Sequence, residues 1–250
     1  AAMCYTSGTT GNPKGVVYGH RSSYLHSMAV CSGNGMALSF SDKALPIVPM
    51  FHANAWGLPY AALMAGADLV LPDRFMDAKS MVTLIETQRP TVAGAVPTIW
   101  NDVMNFLDRE PGHDISSLRF VACGGSAVPV SLMQVFEERH GVQIRQLWGM
   151  TETSPMATMA WPAPNTPAEN HWEVRASQGR PMCGVEARIV DDEGTALPND
   201  NVAVGELEVR GPWITGSYYR DTDPSKFESG WLRTGDVGRI DQQGYITLTD

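Results

Sequence analysis

The sequence predicts an α/β fold, a layered parallel sheet with flanking helices followed by a smaller β-rich subdomain. Three observations carry this. Up to about residue 150, short apolar runs alternate with stretches of helical periodicity, the pattern of a parallel sheet covered by helices. Beyond about residue 155, strand-like runs are separated by Gly, Asp and Asn turns. The chain of 250 residues is 43% hydrophobic and 18% charged, ordinary globular composition with enough length for a sizeable core.

Buried strands are expected at 44–50, 67–71, 91–96, 120–123 and 143–146. Helices are expected between them at 21–31, 56–65, 78–88, 98–107 and 130–139. Asp77 suits the N-cap of the third helix, and Pro129 suits the first turn of the last. The proline-bearing stretch 160–170 reads as a surface loop, and 185–191, 204–209 and 245–249 read as strands. Residues 1–155 thus form the α/β region and 156–250 the β-rich subdomain of the same large domain. In a parallel sheet of this kind, ligands lie at the carboxyl ends of the strands.

The net charge of −9 leaves no basic stripe for nucleic acid, although a local group of amides and one lysine suffices for a nucleotide. Cys4, Cys31, Cys123 and Cys183 are far apart with no CxxC spacing, as expected of reduced thiols in a cytoplasmic protein. No apolar run approaches the ~20 residues of a membrane span. Both ends read as strands cut in progress, so a fragment of a longer protein is expected.

The strongest signal is Tyr5-Thr6-Ser7-Gly8-Thr9-Thr10-Gly11-Asn12-Pro13-Lys14-Gly15. Its glycines let the backbone approach a phosphate and turn amides inward. The hydroxyls of Thr6, Ser7, Thr9 and Thr10 can donate to phosphate oxygens, and Lys14 adds a point charge. A Walker loop requires Gly-Lys-Ser/Thr; here Pro13 precedes Lys14 and Gly15 follows it, so that pattern fails at its defining residues.

This loop resembles the signature loop of the adenylate-forming superfamily, which includes acyl-CoA synthetases, firefly luciferase and peptide-synthetase adenylation domains. Further segments resemble the same family in the same order. In Gln146-Leu147-Trp148-Gly149-Met150-Thr151-Glu152, the resemblance implies that Gln146 and Trp148, with Gly125, frame adenine and that Leu147 and Gly149 belong to the same nucleotide site. It also implies that Thr151 contacts phosphate and that Glu152, with Thr6 or Thr151 nearby, holds Mg²⁺. Trp148 stands where the family commonly has Tyr. The turn Gly124-Gly125-Ser126 lets a flat ligand lie against the backbone, and the resemblance places adenine and the acyl group beside it; an ordinary tight strand–helix turn fits the same residues. In Arg233-Thr234-Gly235-Asp236, the resemblance gives Asp236 the ribose hydroxyls, which a carboxylate can accept together.

For the acid substrate, Pro49-Met50-Phe51-His52-Ala53-Asn54-Ala55-Trp56 resembles the version found in fatty-acyl-CoA synthetases. There His52, Ala53 and Trp56 would line the acyl pocket. Trp56 also fits an ordinary core position, and His52 an interior histidine. The resemblance covers nearly the whole chain and implies an N-terminal part and a C-terminal lid domain beyond it. It implies ATP-dependent activation of a carboxylic acid of the medium- or long-chain fatty type, with Mg²⁺ and coenzyme A as co-reactants, and a homodimer in the longer protein. An adenylation domain loading a carrier protein, or a nucleotide-binding module without catalysis, are the rival readings.

Overall fold

The computed structural model describes residues 2–6 and 12–249. The expected phosphate-loop residues Ser7, Gly8, Thr9, Thr10 and Gly11 lie outside the described residues. The chain opens with an antiparallel hairpin, β1 (Ala2–Tyr5) and β2 (Gly15–Tyr18). Seven further strands form the main sheet: β3 (Lys43–Pro46), β4 (Asp68–Leu69), β5 (Val92–Ala95), β6 (Phe120–Cys123), β7 (Gln143–Gly149), β8 (Met156–Met159) and β9 (Arg180–Pro181). Their order is β4-β3-β5-β6-β7-β8-β9. The first five run parallel, and β8 and β9 add an antiparallel edge. The second sheet holds β10 (Glu186–Val190), β11 (Gly205–Arg210), β12 (Phe227–Glu228), β13 (Trp231–Ile240) and β14 (Ile246–Leu248), paired antiparallel. The α/β class and the smaller β-rich sheet follow the sequence expectation, but the main sheet takes in residues 156–159 and 180–181 and so runs past the expected boundary at 155, because β8 and β9 return antiparallel beside β7.

Helices form where apolar spacing and caps demand them. In Ala78–Gln88, the Asp77 carboxylate accepts from the Ser80 amide, while Met81, Val82 and Ile85 face the core. Pro97–Arg109 begins on its proline and buries Trp100, Val103 and Phe106. Trp100 meets Phe136 of the helix Val130–His140 edge-on, 5.9 Å between centroids. These helices cover one face of the parallel sheet. His20–Cys31 and Leu58–Ala65 pack into the cluster on the other face, which continues into the second sheet.

Several expected boundaries move. The first core strand stops at Pro46, well short of residue 50. Strand β7 runs on to Gly149 because β8 returns antiparallel beside it. Pro129 is the N-cap of its helix, one position before the first turn. The proline-bearing loop ends in a short helix, His171–Ala176, held by Arg175, which pairs with Glu137 and donates to the Ile144 carbonyl.

The expected helix at 56–65 begins only at Leu58. Before it, Ala53, Asn54, Ala55 and Trp56 have φ of 46°, 53°, 53° and 57°, and Gly57 follows at 68°. This is one turn of left-handed helix, a conformation that costs non-glycine residues roughly 1–2 kcal/mol each. Burial of all four residues holds it, together with the Cys4 thiol, 3.6 Å from Asn54 Oδ1.

His26 sits fully buried under this turn. A β-carbon on Gly57 would come within 2.9 Å of its ring, so only glycine fits there. His26 Nε2 accepts from the Met156 amide at 3.2 Å, and burial lowers its pKa to about 4. The unfolded chain therefore binds a proton below about pH 6.5 that the folded chain refuses, and stability falls as pH falls toward 4. About 3 kcal/mol is at stake over that window. His26→Gln keeps an acceptor without the titration. Urea unfolding at pH 7 and pH 5 should show a smaller acid loss in the variant, and equal losses would contradict the assignment.

Candidate active site

One cavity of about 880 Å³ opens at the carboxyl ends of the parallel strands, between the first hairpin and the second sheet. That is at the upper end of ordinary small-molecule sites, roughly 300–1,000 Å³. Its wall includes Thr6, Lys14, His52, Ala53, Trp56, Gly125, Leu147, Gly149, Thr151, Glu152 and Asp236, so eleven of the sequence-derived residues meet in one place.

The hairpin carries Tyr5 and Gly15, the first and last residues of the expected phosphate loop. Thr6 N–H donates to the Lys14 carbonyl (2.9 Å), and Lys14 N–H donates to Thr6 Oγ1 (3.1 Å), closing the base of the loop. Cys4, Val16 and Tyr18 anchor the hairpin through a small apolar cluster with Tyr218. Tyr18 Oη donates to the Thr151 carbonyl at 2.7 Å, tying this hairpin to the turn that carries Glu152.

That turn is Thr151–Thr153, directly after β7. Thr153 Oγ1 accepts from the Met150 amide at 2.8 Å and fixes its shape. The Glu152 side chain is buried, and its Oε1 accepts from Tyr218 Oη at 2.6 Å. Burial and this carboxylate together push the Tyr218 phenol well above its ordinary pKa, so it remains a donor. Lys14 Nζ lies 4.8 Å above the same Tyr218 ring and 2.8 Å from Asp221 Oδ2. The Asp221 hydrogen bond raises the lysine pKa, and Lys14 holds Asp221 below the usual carboxylate range.

On the far side, β13 brings Asp236 to the cavity. Trp148 Nε1 donates to Asp236 Oδ2 at 2.8 Å. Burial pushes the Asp236 pKa up, and the indole hydrogen bond opposes that shift. Gly125 has φ of 83°, and Gly124 lies so close to Leu147 that a β-carbon would sit 2.5 Å from its Cδ1.

The structure does not bring every expected residue to the cavity wall. Trp148 is packed in the core and turns its N–H to Asp236. The Gln146 amide is consumed inside the protein: Oε1 accepts from Val128 N–H, and Nε2 donates to the carbonyls of Ala176 and Ser177. Gly124 and Ser126 stand in the turn behind Gly125, off the wall. Conversely, Tyr18, Tyr218 and Asp221 were missed. The segment Gly216-Ser217-Tyr218-Tyr219 reads from sequence as structural, and only its tyrosines, beside an acid-rich loop, hint at more.

A cation would find a seat at Glu152. Its carboxylate keeps lone pairs beyond the one that Tyr218 uses, and Thr6 shares the cavity. Among the described residues no cluster of three His, Cys, Asp or Glu could hold a metal by itself. The single Glu152 carboxylate fits the one or two carboxylates that Mg²⁺ commonly takes, with phosphate and water completing its shell.

The AMP-binding enzyme family matches residues 1–219, and the chain belongs to that family. It is 44% identical to 3-methylmercaptopropionyl-CoA ligase of Ruegeria pomeroyi, over all of this chain and 47% of that protein. It is also 44% identical to medium-chain-fatty-acid–CoA ligase of Ectopseudomonas oleovorans, over all of this chain and 46% of that protein. The chain therefore spans about half the length of the curated relatives it matches. Among solved structures, o-succinylbenzoate coenzyme A synthetase of Bacillus subtilis in complex with ATP and magnesium ion superposes with a TM-score of 0.84. It is 28% identical, over 99% of this chain and 49% of that one. The fold is that of the large N-terminal domain of adenylate-forming enzymes.

Proposed function

We propose that this chain is the nucleotide- and acid-binding part of an AMP-forming acyl-CoA synthetase. The observation that carries the reading is the convergence of Lys14, Glu152 and Asp236, from three distant segments, on one nucleotide-sized cavity. Lys14 and Thr6, with the loop residues Ser7, Thr9 and Thr10, bind the phosphates of ATP. Thr151 lies beside them. Asp236, oriented by Trp148, takes the ribose hydroxyls, and adenine lies along Gly125 and Leu147. Glu152 holds Mg²⁺, which neutralises charge on the phosphates.

The acid enters past His52, Ala53 and Trp56. Its carboxylate oxygen attacks the α-phosphorus, the bond to pyrophosphate breaks, and acyl-AMP forms. Coenzyme A thiol then displaces AMP to give the thioester. No enzyme nucleophile is required; positioning and charge neutralisation supply the acceleration. The relatives named above are CoA ligases, which supports coenzyme A as the acceptor; their acids, with those of a 43% identical long-chain-fatty-acid–CoA ligase, support a medium- or long-chain fatty acid or a short sulfur-containing acid as substrate. The four free cysteines suit a reducing compartment, the cytoplasm. Among the described residues no helix is long and apolar enough to cross a membrane.

Acid-dependent exchange of labelled pyrophosphate into ATP tests this reading, in a polypeptide spanning the full length of the relatives. Exchange that rises with fatty or methylthio acids is expected. Exchange equal to the acid-free background for every acid tried would contradict it.

A further inference from the structure

We infer that Asp221 is an internal stand-in for a phosphate oxygen, which holds Lys14 until nucleotide displaces it and reclaims Lys14 as pyrophosphate leaves. This rests on the reading of the cavity as a nucleotide site. It adds a positioning residue and an exchange step that the reading does not contain.

The geometry is specific. Asp221 is preorganised: its Oδ1 accepts from the Asp223 amide at 3.0 Å, and its Oδ2 faces Lys14 Nζ at 2.8 Å. The segment that carries it is clamped to the hairpin by the Tyr219 amide, which donates to the Gly15 carbonyl at 2.7 Å. Asp223 places a second negative charge toward the same lysine. Below, the Tyr218 ring supports the ammonium, and its hydroxyl holds Glu152. The cation that should meet phosphate is thus already neutralised, and both partners line the cavity.

Two features make the pair exchangeable rather than a permanent brace. The Lys14 and Asp221 side chains are 41% and 25% exposed, so water screens the pair and it is weak. The lysine stem is flexible and carries a point charge, so it can turn from a carboxylate to a more highly charged polyphosphate without rebuilding the site. The cost of removing Asp221 from Lys14 is then subtracted from the affinity for ATP and for pyrophosphate alike.

The test is calorimetric binding of Mg–ATP and of pyrophosphate to the 250-residue chain. Asp221→Asn should tighten both about three- to fivefold, the range a half-exposed ion pair can supply. Asp221→Glu should restore the wild-type values, and Asp221→Ser repeats the test with a different neutral side chain. In a Lys14→Met background, Asp221→Asn should change affinity less than about 1.5-fold, because the two act as one unit. Unchanged or weaker binding by Asp221→Asn would overturn the exchange while leaving the nucleotide site standing. Equal tightening in both backgrounds would show simple charge repulsion and would overturn it too. A wild-type chain that binds neither ligand would sink the nucleotide reading, and the exchange with it.

Discussion

On the proposed function, Glu152→Gln should lower acyl-adenylate formation on the order of 10²-fold while leaving the fold intact. The amide has nearly the shape of the carboxylate, and its oxygen can still accept from Tyr218, whose hydroxyl lies 2.6 Å from Oε1 in the native protein. What is lost is the negative charge. An amide oxygen is a poor substitute for a carboxylate as the protein's own ligand to a hard divalent cation. Acid-dependent pyrophosphate exchange in the polypeptide of the relatives' length reads the first effect. Urea unfolding reads the second, and a stability change within about 1 kcal/mol is expected. Exchange at the wild-type rate would remove Glu152 from the metal role.

Gly149→Ala should cost about 3 kcal/mol of stability, the upper end of overpacking penalties, and should abolish exchange. The added methyl would lie 1.9 Å from the Pro155 carbonyl oxygen and 3.1 Å from Met156 Cα. Both obstacles are backbone, and Gly149 pairs with Met156 across β7 and β8, so no flexible side chain can yield. Relief requires parting the strands just before the Thr151–Thr153 turn, which moves Glu152 away from Tyr218. Gly33→Ala gives the contrast, because its methyl meets nothing within 4 Å. Equal urea midpoints for the two variants would contradict the argument. The glycine of the Trp-Gly-Met-Thr-Glu segment is therefore needed for close strand approach.

Much of the fold is legible in the sequence because local signals and burial agree. The helix Ala78–Gln88 has its Asp77 cap and an apolar stripe, and β6 is a short apolar run between Arg119 and a pair of glycines. The left-handed turn before Leu58 is not legible. Of its four residues only Asn54 has any local preference for positive φ, and tertiary burial imposes the conformation on the two alanines and Trp56. Strand β13, the longest, hides its period behind Gly235 and Gly238.

The candidate site divides in the same way. Lys14, Glu152 and Asp236 stand out because charged residues sit within glycine- and threonine-bearing segments. The roles of Trp148 and Gln146 are not visible, since each is decided by a distant partner: Asp236 for the first, Val128 and Ala176 for the second. Tyr218 and Asp221 are invisible for the same reason. One sequence shows neither the hydroxyl resting on Glu152 nor the carboxylate resting on Lys14.

The central claim is that one cavity takes both a nucleotide and an acyl group. Calorimetry with non-hydrolysable acyl-adenylate analogues of graded acyl length tests it most directly. The account predicts one-to-one binding whose affinity changes with acyl length and is weakened by Asp236→Asn. Absence of binding at every acyl length by a folded chain, or affinity indifferent to both the acyl group and Asp236, would contradict it.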